Sequence, residues 1–434
     1  MGARGTARRD RRGATSLQLL VILVPVLFAF MGFAVDLARL YLIRMELQTA
    51  ANAAAMAAAA RLIGTEAALA QAGEQGAFST TDVSGYANKY DFGAVTIGQG
   101  TGFLTSEPPT MSYYDTMAAA VAPGEGSGEA GGATAKYAKA TIRAEAPLLF
   151  FGFLSIAQER KTPIEVNAVA GVSAPLCTAC AIEPIAVSAV DPADTTDFGF
   201  VRNTRYTLGY QCNGNPTPSP IGSTQRIPYV MINRYNDQAT VLVDEATQAY
   251  RVGAQGMLPT ATPDNTADPT TFQYRACTTI ATDEAIWANA TPQGCSAGGP
   301  PNPAAAFACG LYTRFDSSAV HPSCANIPEV DAALALYRQD TDLADVEEYS
   351  AYAGNGRRVI TVAIVENIGA TPMQPLGFRQ FLVEPNPDTT TTNPADSNAR
   401  FAALYIGYPM PLRQGRFDGG CSVTAGPGKV VLHR

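Results

Sequence analysis

Histidine is nearly absent from this chain. His321 and His433 are its only two, so acid–base or metal chemistry built on imidazole has almost nothing to draw on. Charge is scarce too: 16% of 434 residues are Asp, Glu, Lys or Arg, with a net charge of -8, and no basic cluster follows Arg12. Binding to nucleic-acid phosphates needs such a cluster, so that function class is excluded. No Gly-x-Ser-x-Gly elbow, phosphate-binding glycine loop, His-Glu-x-x-His pair or dinucleotide fingerprint occurs. Cysteine is missing from the first 176 residues. These absences point away from an enzyme and from any small-molecule substrate or cofactor.

What is present begins at the N-terminus. Arg4, Arg8, Arg9, Arg11 and Arg12 precede an apolar run from Leu17 to Val35 in which only Gln18 is polar. That run has the length needed to cross a hydrocarbon core of roughly 30 Å. A basic flank on one short side predicts a cytoplasmic N-terminus and an exported remainder, which places the chain in the inner membrane as a single-pass protein. A cleaved secretory signal is the alternative. Against it, the run is long, no small-residue cleavage region follows, and helix formers continue through Leu40, Ile43, Leu47, Ala50, Ala54 and Ala57 at helical spacing.

The remainder divides by texture. Residues 1–15 read as a basic leader, 16–38 as a transmembrane helix, 39–75 as an Ala-rich helical extension with a break at Gly64-Thr65, 76–175 as an α+β module, and 176–434 as a β-rich, cysteine-containing exported domain. The fold class is α+β. Ala50, Ala54 and Ala57 are helix-packing candidates, because small side chains let another helix approach closely. Strand alternation is clearest over Lys136–Ala146, Thr162–Ser173, Ile227–Ile232, Thr240–Val243, Arg358–Glu366, Phe378–Glu384, Ala402–Tyr408 and Lys429–Leu432. A helix is expected over Asp331–Tyr349, with Ala332, Leu336, Leu343 and Val346 on its apolar side, and loops over Asn213–Gly222, Ser296–Ala304 and Pro385–Asn398.

The eight cysteines, Cys177, Cys180, Cys212, Cys277, Cys295, Cys309, Cys324 and Cys421, form an even set in an exported region and read as disulfide candidates whose connectivity the sequence leaves open. Cys177-Thr-Ala-Cys180 also has the spacing of a redox pair or half a zinc site, but partners at matched spacing are lacking. Acidic groups at Asp191, Asp194 and Asp197, and at Asp340, Asp342, Asp345, Glu347 and Glu348, lack calcium-loop spacing and read as solvated faces.

Taken together, Arg12–Leu19, the proline-containing apolar helix, Val35-Asp36-Leu37 and the stretch Leu47-Gln48 through Asn52 to Ala57 resemble the N-terminal module of the TadE/TadG-like proteins of bacterial Flp (tight-adherence) pilus assembly. Lys139–Ser155 followed by Val166–Ala174 is similar to the strand, apolar turn and strand those proteins carry. Two positions depart from the family pattern. Asn52 stands where Asp is usual, and Gln18 stands where a prepilin-type cleavage site would have Glu. The resemblance implies a membrane-anchored, non-enzymatic component of pilus assembly or a related secretion apparatus, with the inner membrane and other assembly proteins as partners. An anchored adhesin-like module binding carbohydrate or protein is the alternative. If the anchor is retained, intact-mass analysis of membrane-extracted protein should find residues 1–40 present. A soluble form lacking them would refute it.

Overall fold

A single helix dominates the N-terminal third. In the computed structural model, which describes residues 12–76, 105–106, 109–122, 129–148, 150, 161–180, 182–211, 219–234, 253–254, 277–280, 287–288, 303–315, 322–370, 373–385, 392, 396, 398–417, 421 and 423–433, α1 runs unbroken from Arg12 to Ala59. At 1.5 Å per residue it is ~70 Å long. Pro25 and two glycines, Gly13 and Gly32, are the residues in it that oppose a helix, and its second half is rich in alanine, the best helix former. The stretch from Leu17 is long and apolar enough to cross a membrane. The two halves differ in what covers them. Leu17, Leu20, Phe28 and Phe30 are more than half exposed, whereas Ile43, Leu47, Ala50, Ala54 and Ala58 are sealed. The helix ends at Ala59, and the chain then reverses into the next helix at Gly64, whose φ of +84° is left-handed and costs glycine no Cβ clash. The shorter α2 (Glu66–Gly76) follows it.

The first sheet lies against the covered half of α1. Its centre is the long antiparallel pair β3 (Tyr137–Pro147) and β4 (Lys161–Val172), in register from Tyr137 opposite Gly171 to Pro147 opposite Lys161. β1 (Thr105–Ser106) and β2 (Thr110–Tyr114) pair with β3, with α3 (Met117–Val121) after β2. The alternation read from the sequence sets the face: Ala138, Ala140, Ile142, Ala144 and Ala146 of β3, and Val166, Ala168 and Ala170 of β4, meet Ile43, Leu47, Ala50, Ala54 and Ala58 of α1. The fifth strand comes from far along the chain. β15 (Val430–Leu432) pairs with β4, opposite Val172, Gly171 and Ala170.

A second layer starts at β5 (Thr178–Cys180) and β6 (Ile185–Ser188). β7 (Arg205–Tyr210), β8 (Gln225–Arg234), β11 (Val359–Val365), β12 (Pro375–Val383) and β13 (Phe401–Gly407) join β6 in the order β8-β6-β11-β12-β13-β7, and β7 then pairs in parallel with β8. Each of these six strands therefore has two neighbours, and the sheet closes into a barrel with no free edge among them. Its interior is filled: Tyr206, Tyr229, Phe381, Phe401 and Tyr405 point inward with Ile360, Val362 and Ile364, and Phe307 and Leu311 enter from α4 (Pro303–Tyr312). The outer face is covered as well. Ala363 and Val365 face Ile182, Ile280 and Met373, while Val359, Leu382, Leu404 and Ile406 face Ile63, Ala68, Val346, Tyr349 and Tyr352. Burial on both faces explains why β11 and β13 are apolar runs rather than alternating ones.

A small sheet orders β14 (Gly415–Arg416), β5 and β9 (Cys277–Thr279), and the two-residue β10 (Trp287–Ala288) extends β8. Cys180 is joined to its register partner Cys277, Cys177 to Cys421, and Cys309 of α4 to Cys324 just before α5 (Pro328–Leu336). Cys212, Cys295 and the strand expected at Thr240–Val243 lie outside the described residues.

Two expectations need correcting. The helix expected over Asp331–Tyr349 is α5 alone, ending at Leu336. Beyond it Asp340 accepts the N–H of Asp342, and Asp342 accepts that of Ala344, so side-chain carboxylates take donors a helix would need. The loop expected to reach Ala304 stops earlier, because α4 begins at Pro303, where a missing N–H costs the helix nothing.

Buried arginines tie the loops to the barrel. Arg358, fully buried, donates to the carbonyls of Val383, Asp342 and Ala344 and pairs with Glu384. Arg379 donates to the carbonyls of Thr196, Phe378 and Ala425 beneath the Phe198 ring. Arg314 pairs with Glu183 and donates to the carbonyls of Gly253 and Arg357. Removing one partner strands a charge, so Arg358→Ala is expected to destabilise the fold by about 3–5 kcal/mol, read from denaturant midpoints. Burial pushes Glu384 up from 4.5 to about 7 against the pull of Arg358 and Arg205. A raised carboxylate binds its proton more tightly when folded, so its contribution is full at acid pH and is lost as pH rises through 7. Glu384→Gln should therefore lose less melting temperature than the parent between pH 5 and pH 8.

Candidate functional site

The functional question concentrates where the bare half of α1 gives way to the covered half. Asp36 follows the last apolar residue, Val35, yet is only 3% exposed. A carboxylate so covered needs donors, and the backbone N–H of Phe150, just past β3, supplies one at 3.0 and 3.3 Å from its two oxygens. Arg39, nearly one turn further, is also buried. Three turns beyond Asp36, Gln48 donates from its amide both to Asn52 on α1 and to the carbonyl of Asn167 on β4, at 3.1 and 2.8 Å. The helix is thus pinned to the sheet by polar contacts at two levels, with a seam of alanines between and beyond them. Asn52 works here as a neutral acceptor.

Beyond the first sheet, the turn after α1 and the helix α2 grip the barrel. The Tyr349 hydroxyl donates to the carbonyl of Ile63 at 2.8 Å, and the Gln71 amide to that of Gly354 at 3.3 Å. Glu66, at the start of α2, accepts the N–H groups of Gly132 and Ala133, as a carboxylate at a helix N-terminus favours. A continuous packed path therefore runs from Val35 to the barrel wall. Alongside it α1 and β4 border two open clefts, one of about 340 Å³ lined by Leu37, Tyr41, Arg44 and Ile164, the other of about 460 Å³ lined by Arg44, Gln48, Asn52 and Asn167.

The structure places the sequence-derived candidates unevenly. Ala50 and Ala54 are fully buried and Ala57 half-buried. Ala50 and Ala54 pack on the chain's own β3 and β4, so the smooth surface read as a place for another helix is occupied from within. Cys177 and Cys180 bond to different partners, which leaves no redox pair or zinc half-site in Cys-x-x-Cys. The acidic groups shape turns: Asp194 accepts from Gly199, Thr196 and Asp197, which holds its pKa below the ordinary value, and Asp197 accepts the Tyr405 hydroxyl. Asp340 is buried rather than solvated, accepting from Tyr352 and the backbone of Arg358. No cluster able to hold a metal occurs among the described residues. His433 meets the Tyr137 ring edge-on, and His321 lies outside the described residues. Sequence reasoning missed the Asp36–Phe150 contact; a carboxylate directly after a membrane-length run was the one signal that could have raised it.

The packing turns the alanine seam into a measurable constraint. Ala54→Leu has no room between α1 and β3–β4, and overpacking of this kind costs about 1–3 kcal/mol. Lower thermal stability of the exported body is the expected outcome, and an unchanged melting temperature would show that the seam is looser than described.

No protein of curated function matches this chain, and no solved structure does. One family model matches, and it covers the stretch analysed above: residues 13–61, the bare helix, Asp36, Gln48, Asn52 and the alanine seam, carry the Flp pilus-assembly TadE/G-like sequence that the N-terminal residues resemble.

Proposed function

We propose that the protein is a single-pass inner-membrane component of a Flp/Tad-type pilus assembly or a related secretion apparatus, with its N-terminus in the cytoplasm and its body on the far side. The observation that carries this reading is a coincidence of boundaries. The family match at residues 13–61 spans both the apolar half of α1 and the half fixed to β3 and β4. What the family sequence encodes here is accordingly a membrane helix continuous with a structural spine. The body acts by binding: pilus subunits or other envelope and assembly proteins are its partners. A barrel whose interior is packed with aromatic and aliphatic side chains suits a surface that binds proteins better than a chamber for a small ligand. Two of the three described disulfides bracket the small β14-β5-β9 sheet, a brace suited to an oxidising compartment.

Deleting the gene in a piliated host should abolish surface pili, and re-expression of the full chain should restore them. Intact pili with loss of adhesion alone would sink the assembly reading in favour of an adhesin.

A further inference from the structure

We propose that the protein holds the bilayer at two places rather than one: Leu148 and Phe150, where β3 runs out past Pro147, contact lipid beside α1. Phe150 is a large apolar side chain left 47% exposed. Its ring stands against the helix backbone at Gly32, where an added Cβ would come within 2.9 Å of the Phe150 Cβ. Gly32 lies inside the apolar run, three residues before Val35, which puts the contact roughly 4.5 Å within the span at 1.5 Å per residue. Met31, Phe33 and Val35 at the same level are themselves 56, 48 and 44% exposed. The medium that solvates those helix side chains therefore solvates Phe150. Asp36 fixes the level, because its carboxylate holds the Phe150 N–H one turn further along the helix.

Polarity changes together on both elements. On α1, the covered Asp36 and Arg39 end the apolar run, and the first exposed polar-tipped side chains after it are Tyr41 and Arg44, groups that suit a membrane interface. On the hairpin, charge begins with Lys161, which lies opposite Pro147 and pairs with Glu145, about 10 Å back from Phe150 at ~3.3 Å per residue, and continues with Arg143 and Glu165. A bare phenylalanine in water beside this helix would enlarge an apolar patch, whereas in lipid it adds a second foothold that restrains the body from swivelling about α1.

This inference rests on α1 spanning the bilayer, and the test separates the two. In a Trp287→Phe background of the full chain, Phe150→Trp and Phe28→Trp are reconstituted into phosphatidylcholine vesicles with or without bromine on the upper acyl chain. Emission from Phe150→Trp is expected to fall by about half or more in the brominated vesicles, as contact ~5–10 Å into the interface allows. Quenching of Phe28→Trp but not of Phe150→Trp overturns the proposal and leaves the anchor standing. Quenching of neither overturns both. If Phe150→Trp does not fold, Leu148→Trp reports on the same level.

Discussion

The contact on which the rest of the architecture depends is the seam between α1 and the β3–β4 sheet. Both surfaces are built from alanine, with few larger side chains, so helix and strands approach closely over several turns. Dispersion per atom pair is tiny, about 0.1–0.2 kcal/mol, and only dense contact of this kind sums it to something useful. A methyl-lined seam also has no long side chains to order, so little rotamer entropy opposes it. The polar pins at Asp36 and Gln48 contribute less to the total, but they fix which turn of the helix meets which strand.

Energetically the barrel is organised on a different rule. Its interior is aromatic and aliphatic, and its loops are held by arginines that take several carbonyls each. One guanidinium with donors in a fixed fork can satisfy carbonyls from three loop positions at once, which a lysine could not do. Burial of these charges is costly in isolation, and the network of partners offsets that cost. The loop fixed by Arg358 is the one that meets Ile63 and Ala68, in the turn and helix after α1, which ties the barrel's rim to α1.

How far the sequence disclosed this depends on the range of each interaction. The long helix, β3, β4 and the late strands were legible because periodicity is local: Ala138, Ala140 and Ile142 alternate, and Val359–Val365 is apolar but for Thr361. The helix expected through Tyr349 failed on a competition that propensity does not record, in which Asp340 and Asp342 claim backbone donors for themselves. Barrel closure was illegible because it hangs on the parallel pairing of β7 with β8, and parallel neighbours leave no turn signal. At the candidate site, Asp36, Gln48 and Asn52 stood out as a pattern, but their work did not. The partner of Asp36 lies 114 positions away and that of Gln48 lies 119 away.

One strand deserves a last consideration in terms of time. β15 closes the side of β4 that no earlier strand covers, yet residue 430 leaves the ribosome long after residue 172. Without β15, the sheet that packs on α1 has an open flank of backbone donors and acceptors, the kind of edge that pairs with whatever strand arrives. A truncated chain would keep its anchor but carry an unsealed edge.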